Sequence, residues 1–187
     1  MLLYSCRVKL PQEAVKSRLT SSHISDVVED DLLYFKNLVY LDISDNEIRM
    51  EQLSNITSLR ELIIQSNNIT SLNIQPNTFP HLEILDLSYN WIPSAHLLTL
   101  QHLTRLRTLN LESNDLTTLP SNLSFLNTLD TLNLSNNNFT SDNLIIDPSS
   151  LISSIFTIPK LRRLNLSRNK FRSLHLDQVS PEQIVFL

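Results

Sequence analysis

Leucine and isoleucine fall at the first, fourth and sixth places of an eleven-residue unit whose ninth place is asparagine, and the unit recurs six times. The copies are LVYLDISDNEI (38–48), LRELIIQSNNI (59–69), LEILDLSYNWI (82–92), LRTLNLESNDL (106–116), LDTLNLSNNNF (129–139) and LRRLNLSRNKF (161–171). Alternation at the centre of each unit predicts a short strand with leucine on one side and variable residues on the other. Leu41/Ile43, Leu62/Ile64, Leu85/Leu87, Leu109/Leu111, Leu132/Leu134 and Leu164/Leu166 are the expected core. The ninth-place residues Asn46, Asn67, Asn90, Asn114, Asn137 and Asn169 are spaced by 21, 23, 24, 23 and 32 residues. An asparagine where the chain leaves the strand can satisfy backbone groups of neighbouring turns, which burial would otherwise leave unpaired. It also tolerates turn and left-handed conformations.

This is the leucine-rich-repeat pattern. The fold class it predicts is an α/β solenoid: a right-handed coil with a curved parallel sheet on its concave face and short helices and 3₁₀ turns on its convex face. Residues 1–37 read as an N-terminal flank and cap, 38–175 as six repeats, and 176–187 as a C-terminal tail. Within the flank, Ser25 to Phe35 reads as a helix with an acidic first half, and Arg7–Leu10 and Ser22–Ile24 as strand-like segments pairing with the first repeat. The return paths after Asn46 and Asn114 (52–59 and 116–126) read as short helical or 3₁₀ stretches. The long fifth interval places an insertion near 142–158, where Pro148 opens a helix with residues 151, 152, 155 and 156 on one face. That helix either covers its own repeat or, with Leu144–Ile146, forms a docking protrusion. No cap comparable to the N-terminal one follows the last repeat, and the apolar ending Ile184–Leu187 either folds back over that repeat or, the preferred reading, marks a truncation or a surface for an outside partner.

Composition narrows the function. The chain has no glycine, where average usage of about 7% predicts about a dozen, so every phosphate-cradling glycine loop is excluded. A net charge of −4 offers no electrostatic capture of nucleic acid or acidic membranes, and no apolar run approaches the roughly 20 residues that span a bilayer. The N-terminus lacks a long apolar segment, and Cys6 is the single cysteine, so an intracellular protein without disulfides is expected. His23, His81, His96, His102 and His175 show no ligand spacing. Asp42 and Asp86 share one concave position, but two repeats separate them by about 10 Å, and Asp or Asn there is the usual form of the repeat. No catalytic residue, metal or cofactor is assigned, and the chain is read as no enzyme. Six Asn-x-Ser/Thr sequons occur, about what this composition gives by chance, and Asn133 and Asn165 fall on predicted strands.

Partner-binding candidates come from the variable positions. Tyr40, Ile63, Ile84 and Tyr89, with Trp91 just past the third strand, make an apolar end. Arg162, Arg163 and Arg168, flanked by Lys160, Lys170 and Arg172, make a basic end. That gradient suits an acidic-tailed protein, while nucleic acid is disfavoured by the lack of an extended basic stripe and interleaved aromatics. A small-molecule substrate and a membrane are not expected. The leading reading is an adaptor or scaffold binding a protein on the concave face. Its alternatives are a structural component of a cytoskeletal or axonemal assembly and a regulatory subunit of an enzyme such as a phosphatase.

The stretch Glu29–Asn46, then Leu53-Ser-Asn and Ser58–Leu62, then Phe79–Asn90 and Leu116–Pro120, resembles the N-terminal repeat region of the X-ray radiation resistance-associated proteins. The likeness covers about residues 22–175 and includes the acidic lead-in Glu29–Leu33 and the irregular spacing. It implies an intracellular protein of cytoplasm and nucleus, tied to the radiation response, without an enzymatic mechanism. Members of that family are much longer, and no functional residue carries over.

Overall fold

A repeat of this kind cannot bury its leucines alone, so the successive turns must stack. In the computed structural model, which describes residues 11–140, 151–171 and 185–186, they do so through one open, curved parallel sheet. Its strands are β1 (Lys16–Arg18), β2 (Tyr40–Asp42), β3 (Glu61–Ile63), β4 (Ile84–Asp86), β5 (Thr108–Asn110), β6 (Thr131–Asn133), β7 (Arg163–Asn165) and β8 (Val185–Phe186), neighbours in sequence order. The register follows the repeat, with Leu41, Leu62, Leu85, Leu109, Leu132 and Leu164 side by side. These leucines and the residues two places on form one continuous core in which none is more than 6% exposed.

The N-terminal flank departs from expectation. Ser22–Ile24 is not a strand, and Arg7–Leu10 lies outside the described residues. The strand is Lys16–Arg18, in register with Tyr40–Asp42. Residues 14–24 are therefore a degenerate repeat, with Ser17, Leu19, Ser22 and Ile24 where the next repeat has Leu41, Ile43, Asn46 and Ile48. Leu19 is buried and donates its N–H to Asp42 O. The helix expected over Ser25–Phe35 shrinks to the single turn α1 (Glu29–Leu32). Turn bonds from Phe35 N to Leu32 O and Leu38 N to Phe35 O then carry the chain back to β2, leaving no length for a longer helix. Val27, Leu32 and Phe35 close the N-terminal end of the core.

On the convex side Met50–Leu53 and Ser94–His102 are 3₁₀ segments. Residues 117–128, expected to be helical in part, run as successive turns. There the Leu123 N–H is bonded by Thr157 Oγ1 of the next repeat rather than by a helical carbonyl. In the long interval α2 (Leu151–Phe156) buries Leu151, Ile152 and Ile155 over its own repeat, whereas Phe156 points outward, 48% exposed. Pro148 and Leu144–Ile146 lie outside the described residues. At the far end Val185 and Phe186 pair with Arg163 and Leu164, so this part of the tail extends the sheet by one strand.

Candidate functional site

The asparagine ladder fixes the frame on which every surface residue stands. Asn90 Nδ2 donates to Ile64 O of the preceding turn at 3.1 Å and to Leu87 O and Ser88 O of its own. Its Oδ1 accepts from Asn67 N and Ile69 N at 3.0 and 2.9 Å. Asn46, Asn67, Asn114, Asn137 and Asn169 reach back one turn in the same way, to Leu19 O, Ile43 O, Leu87 O, Leu111 O and Leu134 O. All are buried except Asn169, which is half-buried. In every turn the residue before the ladder place is left-handed, and the ladder asparagine itself is not: Ser21, Asp45, Ser66, Tyr89, Ser113, Asn136 and Arg168 all have φ between 50° and 57°, and His23, Asn68 and Asp115, one place after it, are left-handed as well. With no glycine available, seven ordinary side chains are held there by the ladder.

The sheet face presents two rows. One runs Lys16, Tyr40, Glu61, Ile84, Thr108, Thr131, Arg163, and the other Arg18, Asp42, Ile63, Asp86, Asn110, Asn133, Asn165. Tyr40, Ile63 and Ile84 stand on neighbouring strands β2–β4, each partly buried, with Glu61 between Tyr40 and Ile84 in the first row. Tyr40 is flanked on its outer side by cations, with Lys16 Nζ 5.8 Å and the Arg18 guanidinium 5.6 Å from the ring centre, within cation–π range. Asp86, Asn110, Asn133 and Asn165 use a side-chain oxygen to accept the N–H two residues on, at 2.9 to 3.1 Å. Asp42 makes the same contact to Ser44 at 3.3 Å. These groups shape the strand exits, and Ile63 separates the two carboxylates.

A third row, just before the strands, had no counterpart in the sequence reading. Arg60, Glu83, Arg107, Asp130 and Arg162 stand on successive turns with alternating charge. Glu83 is 2.7 Å from Arg60 and 3.8 Å from Arg107, and Asp130 is 2.6 Å from Arg163 and 3.8 Å from Arg162. The expected gradient from apolar to basic is thereby corrected. Arg162 and Arg163 share a carboxylate, Lys16 and Arg18 put positive charge beside Tyr40, and within the basic cluster Arg162 and Arg163 are therefore not free. The Arg163 guanidinium holds the Asp130 carboxyl below the usual carboxylate range, assisted by Thr131 and Arg162.

Tyr89 and Arg168 are likewise displaced from the expected face, while Trp91 lies past the strand of its repeat as the sequence places it. Tyr89 lies three residues beyond β4 and Arg168 three beyond β7, in the turns that leave the strands. There the residues on either side of the ladder asparagines line a groove of about 460 Å³, with Tyr89 and Trp91 at one end, Asp115 and Asn138 between, and Arg168 and Lys170 at the other. Tyr89 is 47% and Trp91 59% exposed. Trp91 and Asp115 also wall a second hollow of about 260 Å³ that reaches Pro93 and Thr117. The structure thus brings Tyr89 and Trp91 to Arg168, while Tyr40, Ile63 and Ile84 form a separate patch and Arg162 and Arg163 belong to the charge ladder. Aligning residues one place before and after each ladder asparagine would have found the groove from the sequence.

Among the described residues no group of three or more His, Cys, Asp or Glu can hold a metal ion, and no helix is long and apolar enough to cross a membrane.

Family profiles match most of the chain: one described as Leucine rich repeat covers residues 57–116 and 80–139, and a second covers 37–59, 128–153 and 160–181. X-ray radiation resistance-associated protein 1 of Mus musculus is 26% identical over 191 residues, 95% of this chain and 24% of its own length. The chain thus spans about a quarter of that relative. Among solved structures, an internalin from Listeria monocytogenes superposes with a TM-score of 0.68 at 25% identity, over 91% of this chain and 46% of its own. Human 5T4, a trophoblast glycoprotein also titled Wnt-activated inhibitory factor 1, shares the fold with a TM-score of 0.64 at 20% identity, over 84% of this chain and 61% of its own.

Proposed function

The chain belongs to the leucine-rich-repeat family, whose domains are in general protein-interaction modules, and on that premise we propose that it is a non-catalytic adaptor binding a protein partner on its concave face. The observation that carries this reading is the patch of Tyr40, Ile63 and Ile84. Three partly exposed apolar side chains stand on strands whose inward-facing leucines are fully buried, so they are presented by a well-packed scaffold. Aromatic and aliphatic side chains held rigidly on a curved sheet are the usual anchors of a protein interface. An open sheet face, unlike an enclosed cavity, suits a macromolecule better than a small-molecule substrate. The acids of the charge ladder weigh against a polyanion. The place of action is inside the cell, in cytoplasm or nucleus, in keeping with a single cysteine and a fold held by asparagine hydrogen bonds instead of disulfides.

Proximity labelling in cells, comparing wild type with Tyr40→Ala/Ile63→Ser/Ile84→Ser, tests the proposal. Circular dichroism first establishes that the variant is folded. Enrichment of the specific partners should fall by about tenfold, as expected when interface anchors are truncated. An unchanged partner list would exclude the sheet face as the interface.

A further inference from the structure

We propose that the groove between Trp91 and Lys170 is a docking site for an extended, acidic peptide segment of the partner, one with an apolar residue followed four or five residues later by carboxylates. The inference rests on the protein-binding reading above and adds the chemistry of the partner.

Charge and spacing carry it. The groove changes character along its length, in a fixed order. Its first end is two exposed aromatic side chains, Tyr89 and Trp91. Its far end is Arg168 and Lys170, and among the described residues neither has an ion-pair partner, unlike Arg162 and Arg163. Between them stands Asp115, whose carboxylate is already engaged by Asn138 Nδ2 at 2.6 Å. Trp91 and Lys170 occupy equivalent places three turns apart, which at the ordinary strand spacing is roughly 15 Å. An extended chain advances about 3.3 Å per residue, so an apolar side chain seated against Trp91 places carboxylates at Lys170 and Arg168 four or five residues along.

The walls are preorganised. Tyr89 N–H donates to Glu112 O and Trp91 N–H to Ile69 O, both at 2.9 Å, and Lys170 N–H donates to Phe139 O at 2.8 Å. The backbone that carries these side chains is therefore ordered before a ligand arrives. A single-stranded nucleic acid, the other ligand that aromatics and cations attract, fits less well. Its evenly spaced phosphates would have to pass Asp115 and the neighbouring Glu112, whereas a peptide can keep its charges at one end.

Trp91 is the single tryptophan of the chain, so its emission reports the site directly. The 187-residue chain is titrated with the peptide acetyl-Ser-Phe-Ser-Ser-Ser-Glu-Glu-Ser-amide. Parallel titrations use its Lys-Lys analogue, an analogue with Glu-Glu moved next to Phe, and an eight-nucleotide single-stranded RNA. The proposal expects saturable quenching by the first peptide, with an affinity about tenfold weaker for both peptide analogues. Arg168→Glu/Lys170→Glu should weaken the first peptide to the same degree, and Tyr40→Ala/Ile63→Ser should leave it unchanged. The proposal is overturned by absence of saturable quenching, by equal binding of the Lys-Lys peptide, by indifference to the Arg168/Lys170 variant, or by tighter binding of the RNA. None of these results touches the sheet-face reading, which depends on Tyr40, Ile63 and Ile84.

Discussion

Arg163 Nη2 lies 2.6 Å from Asp130 Oδ2, across the junction of the fifth and sixth repeats where the chain makes its longest excursion. Arg163 Nε also donates to Thr131 Oγ1 at 3.0 Å, so the guanidinium is held at two points on the neighbouring turn. The two repeats are 32 residues apart at their asparagines, and this contact helps fix their register. The Asp130 carboxyl is lowered in the folded state, first by the hydrogen bond from Arg163. A depressed carboxyl contributes stability that is complete above its unfolded value near about 3.9 and is lost as pH falls through the folded value. Urea denaturation at pH 7 and pH 3 should therefore show a smaller acid-induced loss in Asp130→Asn than in wild type. At pH 7 the variant should be less stable by no more than about 1 kcal/mol, because both arginines are largely exposed and solvent screens the pair.

The ladder predicts a steep contrast between two chemically identical substitutions. Asn90→Ala strands the buried N–H groups of Asn67 and Ile69 and removes a donor from Ile64 O, at a position only 2% exposed. At about 1–3 kcal/mol per orphaned buried group, the loss should reach about 3 kcal/mol or more. Asn169→Ala removes similar contacts at a half-buried position where solvent can compensate, and should cost about half as much or less. Equal losses in thermal denaturation would show that the ladder is not what holds the turns together.

What could be read from the sequence follows from where the physics is periodic. The eleven-residue unit repeats because each leucine meets its own copy one turn away, so the pattern at Leu85/Leu87 or Leu132/Leu134 predicts sheet, core and ladder together. The degenerate repeat at residues 14–24 escaped because Ser17 and Ser22 keep the backbone geometry while giving up the leucine and asparagine that mark it. Terminal turns meet only one neighbour and tolerate that loss. The groove escaped for another reason. Trp91, Asp115, Asn138 and Lys170 share a place in the turn but no chemical type, and only stacking makes them adjacent. Counting onward from β4 puts Tyr89 on the sheet face, whereas its left-handed conformation swings the chain out of the strand plane there.

That left-handed position sets up a trade between stability and binding. A bulky aromatic at φ 55° is unfavourable, by roughly 1–2 kcal/mol relative to residues that accept the conformation readily. Tyr89→Asn should relieve part of this and raise stability by about 0.5–1 kcal/mol, since the phenol makes just one long contact, 3.4 Å to Glu112 Oε1. The same variant should weaken the Phe–Glu-Glu peptide in the Trp91 emission assay. A Tyr89→Asn protein that is less stable than wild type would mean that the ring packs on the groove wall more than it strains the turn.

His81 offers a stabilising substitution with no cost to either surface. It precedes Leu82, the first leucine of its repeat, and the equivalent places before Leu59 and Leu129 hold Ser58 and Thr128. Those hydroxyls donate to carbonyls of the preceding turn, Ser58 to Leu38 O and Thr128 to Leu106 O, both at 2.8 Å. His81 stands in the same row, yet its Nδ1 is buried with no hydrogen-bond partner. A buried polar atom without a partner costs about 1–3 kcal/mol, and the imidazole gives no hydroxyl to the carbonyl its neighbours serve. His81→Thr copies the Thr128 arrangement at half the side-chain size. Thermal and urea denaturation should show a gain of about 1 kcal/mol, with the sheet-face patch and the exit-turn groove unchanged. A loss instead would mean that the volume of the imidazole ring, filling the space beside Leu82, outweighs its orphaned nitrogen.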